Sequence, residues 1–246
     1  MKSFLNDPEL KRGMIKELTW HAKQDAFVHG VYMDGEGDNF KGCAVGCSIN
    51  SLNRLNGTEL ANNDHSVYEG YLGLPEWLAR LEDAIFEGLP TQEAKKWPLQ
   101  FIKAIPVGVE LDKVKWQFIA YLMEENINQV LMLNMDESLK YKVISVIRKV
   151  LLVAEKAIDT GVWDEAVADD ALNSVAYLWS FWSAEAAEAA EAAISSAARS
   201  AAGSITGAVS WSANSSSWSA RSGWSVRSAA YTKYSKKLLK LLRAAK

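Results

Sequence analysis

Apolar positions recur every three or four residues through most of the first 160 positions. Leu10, Met14, Ile15, Leu18 and then His21 or Ala22 share one helical face. Asp7 stands where an N-cap belongs, with Pro8 at the first helical position and Glu9 in the first turn. A second periodic stretch predicts a helix over 42–56 that Gly57 ends. "DHSVYEGYLGLPEWLARLEDAIFEGLP" predicts two short helices, 64–71 capped by Asp64 and 75–88 opened by Pro75. Thr91 starts another, which Pro98 kinks or restarts. Two longer stripes follow. Leu111, Val114, Phe118, Ile119 and Leu122 mark a helix over 110–126. Leu139, Val143, Val146, Ile147, Val150, Leu151 and Ala154 mark one over 136–159.

The period breaks at "AFVHGVYMDGEGDNF", where Phe, Val and Tyr lead into a glycine-rich turn. That pattern predicts one short β-hairpin near 27–40 followed by a loop. Within it, "DGEGDNF" alternates acidic residues like the start of a calcium loop. The sixth position is not glycine, however, and Val45 occupies the twelfth, where a bidentate Glu belongs. A solvated turn is the expectation.

The composition changes near Asp164. From there to about Ala230 the chain is mostly Ala, Ser and Trp, beginning with the strong helix former "AEAAEAAEAA" over 184–193. Residues 185–202 are expected to be helical. "AVSWSAN" (208–214) and "SSSWSAR" (215–221) align as a seven-residue repeat, and Trp224, Tyr231 and Leu238 keep the same spacing after a one-residue slip. Such a period favours helices packed along a seam, with a break near 222–223. The fold expectation is therefore all-α: a helical domain over 1–163, and an Ala/Ser/Trp-rich helical tail over 164–246 that packs on the domain or on another copy.

Charge and composition narrow the function. Apolar residues make up 49% of the 246, enough for a sizeable core. Twenty-seven basic against 30 acidic side chains give a formal charge of −3, so nothing drives the whole protein towards duplex nucleic acid. There is no apolar leader and no run of about 18 uncharged apolar residues, so no membrane span is expected and a cytoplasmic location is the default.

Both cysteines, Cys43 and Cys47, lie in "FKGCAVGCSINSLNRLNG". A spacing of four puts both sulfurs on one helical face. Gly42 and Gly46 form an adjacent stripe open to close approach by a second helix. A nucleophile reading uses the helix N-terminus and Lys41 to lower a thiol pKa, with His65 as the only later histidine to serve as base. A metal reading draws on His21, His29 and His65, none at zinc-finger spacing, and no metal site or cofactor is expected. The plainer reading makes both thiols small buried hydrophobes. Lys41 and Gly42 at the helix start offer a site for a small anion, without the P-loop pattern. In the tail, Trp211, Trp218 and Trp224 either pack in a helix seam or stack on a ligand's rings, with Arg221 and Arg227 meeting its phosphates.

"KGCAVGCSI", "YLGLPEWLARLEDAIFEGLP" and "AIPVGVEL" together resemble a family of uncharacterised proteins encoded by bacteriophages and prophages, whose members also end in variable Ala/Ser/Trp-rich tails. The resemblance covers about residues 1–165, and the tail in composition only. It implies an accessory gene product acting in a bacterial host cell. With no complete catalytic constellation, the functional expectation is a binding protein that blocks a host component, either a defence protein or a nucleotide signal, and that forms homo-oligomers. The rival expectation is a Cys-dependent hydrolase or transferase using Cys43 or Cys47.

Overall fold

The computed structural model describes residues 1–168, 170, 193, 195–197, 199, 205–219 and 224–246. Among them the fold is all-α, with no strand. Ten α-helices are named here: α1 (Pro8–Lys23), α2 (Ala44–Asn56), α3 (Val67–Leu72), α4 (Glu76–Gly88), α5 (Thr91–Ala94), α6 (Trp97–Ala104), α7 (Asp112–Met132), α8 (Glu137–Thr160), α9 (Ile205–Ser219) and α10 (Trp224–Ala244). The contacts group the chain into two units, Met1–Leu111 with Thr232–Lys246, and Asp112–Tyr231. The change in composition near Asp164 falls inside the second unit.

The helix ends follow local chemistry. The Asp7 carboxylate accepts from the Glu9 N–H at 2.8 Å and Pro8 opens α1. Asp136 caps α8 through the Leu139 N–H at 2.9 Å. Gly57 and Gly161 stop α2 and α8 at φ of 64° and 75°, where a side chain would be strained. Asp64 does not cap α3. It folds a turn onto the Ser66 N–H and hydroxyl, and the helix begins at Val67. Pro98 restarts the chain as α6.

In the first unit α1 packs on α2 and α6, and α2 also packs on α4 and α6. Met14, Leu18, Ile49, Leu52, Leu78, Ile85, Phe86, Phe101 and Trp97 fill the interior. The Trp97 indole N–H donates to the Glu82 carbonyl at 3.0 Å, which satisfies the one polar atom of the largest core side chain. Tyr234, Leu238 and Leu242 of α10 are also buried. In the second unit α7 pairs with α8 along its length, and α9 packs on α7. There Trp116 and Trp163 stack at 4.8 Å.

The expected hairpin near 27–40 does not form. Only two isolated bridges occur, Phe27 with Gly42 in parallel and Asp34 with Lys41 antiparallel. Gly30, Gly35 and Gly37 all take positive φ and turn the chain before a ladder can extend. The result is a loop over 26–42 lying against the start of α2. The glycine stripe of α2 also meets something other than a helix. An added Cβ on Gly46 would strike the Tyr32 carbonyl oxygen, and one on Gly42 would come within 2.5 Å of the same atom.

The helical expectation for 185–202 lies mostly outside the described residues, and so does "AEAAEAAEAA" apart from Ala193. Ala193, Ser195, Ser196, Ala197 and Arg199 are helical. The break expected near 222–223 also lies outside them, between the end of α9 at Ser219 and the start of α10 at Trp224.

Candidate functional site

The first turn of α2 and one face of α4 meet at the 26–42 loop, and the chemistry of the first unit gathers there. Cys43 is the N-cap residue of α2, and its sulfur accepts from the Gly46 N–H at 3.4 Å. Cys47 lies one turn on, with its thiol aimed at the Gly42 carbonyl at 3.4 Å. Both are reduced and buried, at 2% and 0% exposure. Burial pushes both thiols well above the ordinary range, and the Asp83 carboxylate pushes Cys43 further the same way. Lys41 does not offset this. It is exposed and its backbone pairs with Asp34. The helix start and lysine that the sequence offers for activating a thiolate are outweighed by desolvation.

His65 is nine-tenths buried, and its Nε2 lies 3.3 Å from Asp83 Oδ2. The Tyr32 hydroxyl donates to that same oxygen at 3.1 Å, and the Tyr32 and His65 rings meet edge to face. Asp83 therefore stands beside both the Cys43 thiol and the His65 ring. In a nucleophilic triad the imidazole stands between thiol and carboxylate. Here the carboxylate takes that place. One helical turn on, Glu87 accepts from the Gly30 N–H with both oxygens, each at 3.0 Å. Burial raises its pKa. The ligand atoms of Cys43, Asp83 and Glu87 all lie within 4.8 Å of one another. Neither Asp83 nor Glu87 was legible as a site residue. On α4 they read as ordinary solvent-facing acids at a spacing of four, and only the packing of α2 against α4 turns them inward.

Behind this group sits a second buried carboxylate. Glu82 accepts from the Tyr68 hydroxyl at 2.7 Å, and its other oxygen has no partner. Burial raises its pKa far above the carboxylate range.

Lys41 and Gly42 border a different feature. A cleft of about 250 Å³ is lined by Asp25, Phe27, Val28, His29, Lys41, Thr91, Ala94 and Lys95. Lys95 pairs with Asp25 at 2.6 Å, while Lys41 has no ion pair among the described residues. His29 packs on Phe86 and its Nε2 is shielded from solvent without a partner. Sequence reasoning placed Lys41 at an anion site and weighed His29 only as a metal ligand, and it did not find Lys95 or Thr91, which come from α5 and its end.

In the tail, Trp211 is half-buried on α9. The face of α9 that is buried carries Ala208, Val209, Ser212 and Ala213, and the Ser212 hydroxyl donates to Asn126 Oδ1 of α7 at 2.7 Å. Small residues, not Trp211, thus make the close approach. Trp218 and Trp224 fall on α9 and α10, with side chains outside the described set, and Arg221 lies outside it altogether. Arg227 lies over the Tyr231 ring at 5.9 Å. No described helix is long and apolar enough to cross a membrane.

Comparison with known proteins finds no matching family model, no matching curated protein and no matching solved structure.

Proposed function

We propose that this protein works by binding, without turnover, and that its ligand is a small anion held in the cleft between the 26–42 loop and α5. The observation that carries this reading is that Lys41, Lys95 and Thr91 line one cleft together with Asp25, His29 and the apolar Phe27, Val28 and Ala94. Two lysines, one of them shared with the Asp25 carboxylate, and a hydroxyl beside apolar walls are chemistry that holds a phosphate beside a less polar moiety. In the phage context implied by the sequence resemblance, the ligand is a host nucleotide signal, and sequestering it is how the protein blocks a host defence component. The tail helices carrying Trp211, Trp218 and Trp224 would then join copies of the chain.

Two features weigh against the Cys-dependent enzyme. Both thiols are buried and held protonated, and the His65 imidazole pairs with Asp83 instead of standing between Cys43 and the carboxylate as a triad requires. The test is calorimetry of the full chain with phosphate, pyrophosphate and a panel of linear and cyclic nucleotides. Binding should weaken at least about tenfold in Lys41→Ala and in Lys95→Ala, the loss of one charge-assisted contact. It should tighten in Asp25→Asn, which frees Lys95, and persist in Cys43→Ala. Anion binding insensitive to both lysines, or turnover that Cys43→Ser abolishes, would overturn the reading.

A further inference from the structure

The geometry points to a divalent metal site, suited to zinc, formed by Cys43 Sγ, Asp83 and Glu87, with solvent in the remaining position. Three observations lead there. First, the donor set is mixed: one sulfur and two carboxylates, a combination that zinc accepts and magnesium or calcium, which take oxygen ligands, do not. The sulfur and the two carboxylates already lie within 4.8 Å of one another. His65 Nε2 lies within hydrogen-bond distance of Asp83 Oδ2, at 3.3 Å, and orients that carboxylate from outside the donor set.

Second, the group lacks a cation. Glu82, Asp83 and Glu87 follow one another on α4, buried or half-buried, and no described lysine or arginine pairs with any of them. Asp83 Oδ1 is shielded from solvent, and the neutral Cys43 thiol is the group beside the carboxylate, with no cation facing that oxygen among the described residues. A carboxylate oxygen in that condition is costly unless something positive faces it.

Third, the surroundings orient the donors. The Tyr32 hydroxyl holds Asp83 Oδ2 and the Gly30 N–H holds Glu87, so each carboxylate is fixed by a hydrogen bond as metal ligands commonly are. The Cys43 N–H donates to the Val31 carbonyl at 2.6 Å, tying the thiol to the same loop. Metal binding replaces the Cys43 S–H bond by a sulfur–metal bond and releases that proton to solvent, so affinity rises with pH. Such a metal would pin the 26–42 loop to α2 and α4.

The test is titration of the metal-stripped full chain with cobalt(II), then zinc(II), each alone in buffer. One equivalent of cobalt should give a thiolate-to-cobalt charge-transfer band and intense tetrahedral visible bands, both bleached by zinc. Cys43→Ser should lose the charge-transfer band and Cys47→Ser should keep it. Asp83→Asn and Glu87→Gln, checked for fold by circular dichroism, should each weaken zinc binding at least about 10–100-fold. Lys41→Ala should leave zinc affinity unchanged, which separates this site from the anion cleft. Absence of a charge-transfer band, a band that survives Cys43→Ser, or zinc affinity indifferent to both carboxylate variants would overturn the assignment.

Discussion

Replacing Gly46 by alanine should destabilise the protein, although alanine is the better helix former. Gly46 lies inside α2, where exchange for alanine on its own favours the helix by about 1 kcal/mol. The added methyl would collide with the Tyr32 carbonyl oxygen, a backbone atom that no side-chain rotation can move aside. Forcing extra volume into a packed site costs about 1–3 kcal/mol. If the loop lifts to make room, it strains the Cys43 N–H to Val31 bond and the Tyr32 to Asp83 bond, worth about 1 kcal/mol and about 1.5–3 kcal/mol respectively. Set against the propensity gain, the net loss is about 2 kcal/mol. Gly70 supplies the control. It is exposed on α3 with nothing within 4 Å of an added Cβ, so Gly70→Ala should gain up to about 1 kcal/mol. Urea unfolding followed by circular dichroism reads both, as shifts of midpoint at constant slope. A Gly46→Ala protein as stable as the parent would refute the close approach of Tyr32 to α2.

Three further outcomes follow from the buried groups. Native Cys43 and Cys47 should react with a disulfide reagent far more slowly at pH 8 than the same thiols in urea, because burial suppresses both access and thiolate; equal rates would restore the reactive-cysteine reading. His21 is buried among Trp20, Phe27 and Phe40, and burial lowers its pKa from 6.5 to about 4. Because the unfolded chain then binds the extra proton, stability should be intact above pH 6.5 and fall, by an amount on the order of 3 kcal/mol, as pH drops towards 4. His21→Phe should flatten that part of the urea-midpoint profile. Glu82 has the opposite sign. Its folded pKa is raised, so its contribution is present at acid pH and is lost as pH rises above the unfolded value. Glu82→Gln, which can still accept from Tyr68, should raise the urea midpoint at pH 8 and leave it nearly unchanged at pH 4; a fall at pH 8 would contradict this.

Helix positions could be read from the chain because their causes are local. Period, caps and stop signals act within a few residues, so Asp7–Pro8 opens α1 and Gly57 ends α2 where those residues stand. The burial of both thiols was legible for the same reason, although the helix expected over 42–56 begins at Ala44, which leaves Cys43 as its extended N-cap and only Cys47 on a helical face. What the chain around 26–42 does was not. Its Phe, Val and Tyr favour a strand, yet three positive-φ glycines and the absence of a partner strand leave a loop instead.

The candidate sites depended on distances that no local pattern encodes. Asp83 and Glu87 became neighbours of Cys43 only when α4 packed on α2, and Lys95 and Thr91 joined Lys41 only when α5 came beside the loop. A carboxylate on an amphipathic helix has the same sequence signature whether it faces water or a thiol. The amino-acid sequence thus determined where helices begin and end and which faces are apolar, through short-range hydrogen bonding and side-chain periodicity. Tertiary packing alone decided which polar groups were driven together away from water, because that depends on which helices meet.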